Sequence, residues 1–202
     1  MRSYIQKYID ENKLKIYSIL ICLIIGLVVG FFTYKFTSAS IREELNKTIK
    51  TTLELTKQEG FQGINIIKNG IASNILICFI MYLSCITIVA PGIVCIINSL
   101  KGFSIGIYIP TIFYVFGFWN GIICFFILVI LPNLVYIPSF IYLSVNAINF
   151  HNVLVDKFNE KSKLKVVTKE SIYLIVTISI MSFAIVIEQL ASIGVINIYR
   201  EL

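Results

Sequence analysis

Residues 16–26 read IYSILICLIIG, an apolar run without a charged side chain. Its apolar residues follow one another instead of alternating with polar ones, so the run is not typical of a strand in a membrane β-barrel. A membrane-spanning helix needs about 20 predominantly apolar residues. The charge-free stretch around this run extends from residue 16 to residue 34, which is long enough for one crossing.

Three further stretches lack Asp, Glu, Lys and Arg, namely 69–100, 102–155 and 171–187. Only 14% of the 202 residues are charged and 57% are hydrophobic, whereas a soluble domain carries about 25% charged residues. We therefore predict an all-α, polytopic integral membrane protein with a single membrane domain. About five transmembrane helices are expected, with a broken or re-entrant central segment.

The charges and the apolar stretches together divide the chain into segments. The predicted segments are a cytoplasmic basic arm at 1–15, spans at 16–36, 71–98, 103–118, 121–150 and 171–193, an extracytoplasmic segment at 37–69, and a cytoplasmic basic loop at 151–170. Lys101 is expected to mark a short turn. Proline removes an amide donor, so we expect Pro91 to kink or end the second span, and the fourth span to be broken at 131–138.

The basic residues predict the orientation. The arm, the Lys101 turn and the loop between Lys157 and Lys169 together hold ten of the seventeen Lys and Arg. Cytoplasmic segments of membrane proteins are enriched in these residues. We therefore predict a multi-pass protein of the cell membrane with a cytoplasmic N-terminus and an extracytoplasmic C-terminus. The net charge of +6 is attributed to this topology and to anionic membrane lipid, not to nucleic acid.

The segment at 37–69 contains the pattern of an amphipathic helix. Ser40 and Glu43 have the spacing of a capping box, and Gly60 is expected to end the helix. An apolar stripe follows at four-residue spacing: Ile41, Leu45, Ile49 and Leu53. The stripe has two candidate uses, which are to lie on the membrane or on the protein's own spans, or to dock a partner.

Small and amide residues within the spans predict helix packing. Gly26 and Gly30 have the spacing that lets a second helix backbone approach closely, and packing against another span of the same chain is favoured over a homo-oligomer, which stays open. Asn133 is expected to supply hydrogen bonds that Pro132 removes. The other candidates for interhelical hydrogen bonds are Asn74, Asn98, Asn120 and Asn146.

We predict no catalytic, metal or cofactor site. His151 is the single histidine, and no H-E-x-x-H, G-x-S-x-G or phosphate-binding glycine loop occurs. The five cysteines form no C-x-x-C pair. Glu188 is an acid late in the last span, expected near the outer interface, where it is either solvated or paired at the surface, or has a role in contacts or transport.

Two stretches of the sequence are similar to a known family. KGFSIG at 101–106, followed about 25 residues later by LPNLVYIP at 131–138, resembles the stage II sporulation protein M family of endospore-forming bacteria. The resemblance implies a scaffold in the septal membrane that brings together stage II sporulation proteins D and P, which cut peptidoglycan during engulfment. It implies a central motif or partner contact at Lys101, Gly102, Phe103, Gly106, Pro132, Asn133, Tyr136 and Pro138.

One alternative function is a small membrane permease or channel-like subunit, because transporter helices are often interrupted near the middle of the membrane. Pro91, Pro132 and Pro138 motivate it. An intramembrane enzyme is a third and less favoured interpretation, in which Glu188 would be the reactive group.

Overall fold

The computed structural model describes residues 2–58, 62–84, 87, 89–156, 168, 172–173, 175–184, 186–187 and 190, and every regular element in this part of the chain is a helix. The elements are α1 (Arg2–Phe36), α2 (Ala39–Gln58), α3 (Gln62–Ser84), α4 (Ala90–Phe116), α5 (Phe118–Phe125), a π-helical segment (Phe126–Ile130) and α6 (Leu131–Asp156). The described helical residues between 172 and 190 are called the last helix below.

Three helical stretches within the described residues are long and apolar enough to cross a membrane: Gln6–Phe36, Ala90–Phe116 and Phe118–Asn152. Two shorter apolar helices accompany them, Ile75–Ser84 and Ile175–Ala184. The prediction of an all-α membrane protein is confirmed. The count of five crossings stays a prediction.

The predicted turn at Lys101 is wrong, because α4 passes through this residue without interruption from Ala90 to Phe116. Pro91 lies in the first turn of α4 and does not end a helix; the first turn tolerates proline because its amides have no partner within the helix. The predicted span 71–98 is instead divided after Ser84. Thr87 lies in this connection, where its amide donates to Ser84 O (2.9 Å) and its carbonyl accepts from the Ala90 amide (3.2 Å).

The predicted break at 131–138 is also wrong. Helix α6 is continuous from Leu131, and the irregular backbone lies immediately before it in the π-helical segment, where the Leu131 amide donates to Phe126 O. Pro132 follows directly on this π-helical segment, inside a helical stretch that runs from Phe118 to Asn152, so its missing amide coincides with the irregular backbone. Pro138 lies inside α6, and membrane helices tolerate such prolines when neighbouring groups satisfy the backbone.

A turn at Gly117 follows α4. This glycine has a φ of +75°, the one positive φ among the described residues, and it separates α4 from α5. A side chain on Cβ would make this conformation unfavourable, so glycine suits the position. Trp119 follows with 79% of its surface exposed.

The described residues form two separate apolar cores. The first joins α3, α4, α6 and the last helix and includes Cys78, Met81, Val94, Phe140 and Met181. The second joins α4 to α5, the π-helical segment and the helix that follows it, and consists of Ile105, Ile112, Cys124, Leu128 and Val129. Helix α4 contributes to both cores, so it is central to the described bundle.

Candidate functional site

Helices α1 and α4 make the most extensive contact between the described helices, and four buried glycines form it. A Cβ atom built on Gly26 would overlap the backbone of Ser99, and one built on Gly30 would overlap the backbone of Phe103. The relation is reciprocal, because Cβ atoms on Gly102 and Gly106 would overlap the backbone of α1 at Leu23 and Leu27 respectively. The two backbones therefore touch without intervening side chains, as in small-xxx-small packing in membranes.

The order of these contacts gives the direction of the helices. Gly26 lies against Ser99 and Gly30 against Phe103, so residue numbers rise together along both helices and the packing is parallel. If α1 and α4 both cross the membrane in this arrangement, the chain between Phe36 and Ala90 has to return to the starting side. Helix α3, of 23 residues, would be about 35 Å long and is the described helix available for this return.

Polar side chains lie on the face of α4 that is turned toward α6. Asn98 is fully buried, and its Nδ2 donates to Ser144 Oγ (2.9 Å) and to Val94 O (2.8 Å). Lys101, one turn further, places Nζ 4.0 Å from the centroid of the Tyr136 ring. An ammonium at this distance from an aromatic face is stabilised by a cation–π interaction, more strongly where water is excluded.

These contacts also orient α6. Asn98 reaches Ser144, whereas the later Lys101 reaches the earlier Tyr136, so α4 and α6 are antiparallel. The interhelical hydrogen bonds predicted for Asn98 and Asn146 are confirmed, since Tyr8 Oη donates to Asn146 Oδ1 (2.9 Å). Asn120 is exposed, and the side chain of Asn74 lies outside the described part. Ser144 was not predicted, because a lone serine in an apolar run has no distinguishing pattern.

The stretch at 131–138 forms one wall of an apolar groove. The groove has a volume of about 420 Å³ and lies between α1, α4 and α6. Asn133 Nδ2 donates to the carbonyl of Val129 (2.8 Å), which belongs to the π-helical segment. This side chain therefore bonds the irregular backbone beside Pro132. The residues lining the groove are Leu23, Leu27, Ile105, Ile109, Phe125, Val129, Ile130, Asn133, Leu134, Ile137 and Pro138.

The two motifs that carry the family resemblance thus meet in space. Lys101 contacts Tyr136, while Gly102 and Gly106 contact α1. Asn133 and Pro138 lie in the groove next to α1 residues that also face these glycines. The central motif residues are therefore distributed over two neighbouring sides of α4. Phe103 contributes its backbone to the contact with Gly30.

Helix α2 is joined to the end of α1 by a compact polar contact. Tyr34 Oη donates to Asn46 Oδ1 (3.1 Å), and both side chains are buried. Arg42 Nη2 donates to the carbonyls of Lys35 (2.8 Å) and Thr37 (3.0 Å) and so caps the end of α1. The guanidinium carbon of Arg42 also lies 5.5 Å from the Tyr34 ring centroid. These bonds hold α2 in a defined position relative to α1.

The predicted capping box is wrong, because α2 begins at Ala39, before Ser40. The Arg42 amide instead donates to Ser38 O (3.1 Å). Of the predicted apolar stripe, Leu45 is half-buried and Ile41 is exposed, and the side chains of Ile49 and Leu53 lie outside the described part. The helix contacts α3 and α4, so it is not an isolated surface element.

Polar side chains also join the N-terminal arm to α6. Helix α1 starts at Arg2, so the predicted arm is a continuation of the first span. Asn149 Nδ2 donates to Asn12 Oδ1 (3.0 Å), and Lys15 Nζ donates to Asn149 Oδ1. His151, close by on α6, is buried. The arm therefore ends in a polar contact with the helix that leads into the basic loop.

The described residues include no group of three or more His, Cys, Asp and Glu side chains placed to hold a metal ion. Cys22, Cys78, Cys95 and Cys124 are free thiols. Glu188 lies outside the described part of the chain, as do residues 157–167, 169 and 170 of the basic loop.

The family model for stage II sporulation protein M matches residues 19–192. The chain belongs to this family. Comparison with curated proteins and with solved structures gave no match. The protein is therefore a sporulation-related membrane protein, from a family that is not a known enzyme family. The matched range contains all four interface glycines and both motifs, whereas Tyr8 and Asn12 precede it.

Proposed function

We propose that this stage II sporulation protein M family member is a non-enzymatic membrane scaffold of the engulfment machinery. In this proposal it recruits and localises the peptidoglycan hydrolases known as stage II sporulation proteins D and P at the septal membrane. The family match supports the sporulation setting. The observation that carries the scaffold role is α2, a helix outside the apolar stretches that polar contacts fix to α1.

The orientation of the chain determines whether α2 can meet cell-wall enzymes. The parallel packing of α1 with α4 and the antiparallel packing of α4 with α6 support placing the N-terminal arm and the basic loop on one side. The arm carries four Lys and Arg and the loop from Lys157 to Lys169 carries five, which favours the cytoplasm. Helix α2 would then lie outside the cell membrane, on the side of the peptidoglycan.

The face of α2 that points away from the bundle provides the proposed docking surface. Glu43, Glu44 and Lys47 are exposed there, as are Thr48 and Thr51. Their position on a fixed helix means that a partner would meet an ordered array of charges. Such complementary charges mainly set specificity and the rate of association.

A charge exchange on this face tests the proposal. Glu43→Lys with Lys47→Glu preserves the net charge and the four-residue spacing but inverts the pattern. The matched control is Lys7→Glu with Glu11→Lys, another exposed pair four residues apart, with side chains 3.9 Å apart at the other end of α1. Tagged variants would be purified in detergent from cells during engulfment, and co-purified hydrolases D and P quantified.

We expect the α2 exchange to reduce co-purified hydrolase at least tenfold at unchanged protein level, and the control to change it less than twofold. Equal recovery with both variants would contradict α2 as the docking surface. Failure of the unmodified protein to retain either hydrolase, together with normal engulfment in a deletion strain, would contradict the scaffold function itself.

Two of the three prolines that motivate the permease alternative leave the described helices continuous. Pro91 begins α4, and Pro138 lies inside a continuous helix, so neither interrupts a span. Purified protein in liposomes that conducted a solute or an ion would restore this alternative.

A further inference from the structure

Two of the free cysteines face each other across the glycine contact between α1 and α4. Gly26 of α1 lies against Ser99 of α4. Four residues earlier on each helix, the chain has Cys22 and Cys95. Because α1 and α4 are parallel, four steps back along both helices lead to the same level. The two side chains interact directly there, through a hydrogen bond between the thiols.

The separation of the two backbones suits a disulfide at this level. A Cβ atom built on Gly26 would lie 2.9 Å from Ser99 Cα, and one built on Gly30 would lie 3.0 Å from Phe103 Cα. A C–C bond is about 1.5 Å long, so the Cα atoms of these two pairs are at most about 4.5 Å apart. The two distances are nearly equal although they lie one turn apart, so the helices diverge little. Residues joined by a disulfide have Cα atoms about 4.4–6.8 Å apart, a range that we expect one turn earlier, at the two thiols.

The same two thiols are more accessible than the other described cysteines. Cys22 and Cys95 are half-buried, whereas Cys78 and Cys124 are fully buried in the two different apolar cores. Cys95 is five residues after Ala90, the first residue of α4, which corresponds to about 8 Å along the helix. The pair therefore lies near one end of the span, where a small uncharged oxidant reaches it from the lipid or from the interface.

We propose that Cys22 and Cys95 form a reversible redox pair, whose disulfide joins α1 covalently to α4 beside the glycine contact. The oxidant is a peroxide. One thiol is oxidised to a sulfenic acid as the O–O bond of hydrogen peroxide breaks and one water leaves. The sulfur of the second thiol then displaces the hydroxyl group, which leaves as a second water, and the S–S bond forms. Each sulfur gives up one electron, and exchange with a reducing dithiol restores both thiols.

The disulfide would hold together two helices that otherwise depend on close packing alone at this contact. It would close a loop that contains all of α2 and α3. A cross-link between residues far apart in the chain restricts the unfolded state strongly. The oxidised protein should therefore resist separation of α1 from α4 more than the thiol form does. This inference depends neither on the proposed partners nor on the scaffold function.

Thiol counting tests the pair in the full-length protein. Native membranes that contain the unmodified protein, Cys22→Ser or Cys95→Ser are treated with hydrogen peroxide. The remaining thiols are labelled in SDS with a maleimide-linked polymer, and the labels on each chain are counted by gel shift. We expect the unmodified protein to lose two of its five labels while it stays monomeric, and to regain both with dithiothreitol.

Each single variant should lose labels at least tenfold less than the unmodified protein. Retention of all five labels by the unmodified protein would overturn the proposal. Equal losses in the single variants, or losses found only in a disulfide-linked dimer, would overturn it as well.

Moving one cysteine by a single residue separates the geometry of the pair from general thiol reactivity. Cys95→Ser combined with Ile96→Cys keeps five cysteines at nearly the same depth. Position 96 is 60% exposed, and one step along a helix turns the side chain by about 100°. Mass spectrometry of proteolytic peptides should find at least tenfold more disulfide between 22 and 95 than between 22 and 96. Equal yields would show that Cys22 does not face position 95 and would overturn the pair.

The unmodified protein alone supplies a further measurement that needs no variant to fold. In SDS, the peroxide-treated protein should unfold at least tenfold more slowly than the reduced protein, and dithiothreitol should remove the difference. Equal unfolding rates of the two forms, in samples where the disulfide between 22 and 95 has been verified, would contradict a covalent link that holds α1 against α4.

Discussion

Helix α4 contacts its two main neighbours in opposite ways. Toward α1 it presents Gly102 and Gly106, and the two backbones touch. Toward α6 it presents Asn98 and Lys101, which reach a hydroxyl and an aromatic ring across a wider separation. One contact depends on the absence of side chains, and the other depends on particular side-chain groups.

The difference between the two contacts of α4 reflects the lipid that surrounds membrane helices. Lipid tails are as apolar as the side chains, so burial of apolar surface contributes little to helix association in a membrane. Close packing and polar bonds remain as the sources of specificity. Close packing responds to steric size and tolerates no added atom, whereas polar bonds are individually modest. The two faces of α4 should therefore respond very differently to substitution.

The largest effect is expected at the glycine contact. Gly102→Ala places a methyl group into the backbone of α1, which forces α1 and α4 apart and should lower the free energy of unfolding by about 3 kcal/mol. The matched control on the same helix is Gly92→Ala, whose Cβ would meet only Val89 Cγ1 at 3.6 Å. Unfolding by SDS in mixed micelles would measure both. Equal stability of the two variants would contradict the backbone contact.

The polar contact should give a smaller effect. Asn98→Leu removes the bond to Ser144 and should lower the free energy of unfolding by about 1.5 kcal/mol, near the upper end for such bonds in membranes. Ser104→Ala serves as control, because this exposed serine donates only to Leu100 of its own helix (3.0 Å). A double-mutant cycle with Ser144→Ala should recover most of the loss as coupling energy. Additive losses would show that the two side chains do not interact.

The class of fold was predictable because uninterrupted apolar runs have few alternatives. The ends of the helices were less predictable, for two physical reasons. A single charge such as Lys101 suggests a turn, although a neighbouring aromatic ring can accommodate it within a helix. Pro91 suggests a break, although a proline in the first turn of a helix costs little, and Pro132 suggests one, although a π-helical turn directly before it keeps the helix running.

The candidate site was predictable only in part. The spacing of Gly26 and Gly30 indicated close packing, but no pattern in the sequence identified α4 as their neighbour. The helices that become neighbours depend on which spans run parallel and which run antiparallel. Ser144 and Tyr34 likewise gain their roles from residues that lie 46 and 12 positions away in the chain.

The smallest effect is expected at Asn133, whose bond stays within its own stretch of backbone. Its side-chain Nδ2 donates to Val129 O (2.8 Å) in the π-helical segment. Pro132, next to Asn133, has no backbone N–H to donate to this segment. Asn133→Leu should therefore lower the free energy of unfolding by about 1 kcal/mol, and it should also reduce retention of hydrolases D and P if this segment contacts them.

Ser139→Ala is the control, since Ser139 Oγ donates to Val135 O (2.8 Å) within the regular part of α6. In a regular helix the Val135 carbonyl already accepts a backbone amide. Removal of the Ser139 hydroxyl, its second donor, should therefore hardly change the free energy of unfolding. An Asn133→Leu variant as stable as Ser139→Ala, with full retention of both hydrolases, would show that the π-helical segment does not need the amide. The packing of the described helices would then depend mainly on the two faces of α4, the glycine face toward α1 and the polar face toward α6.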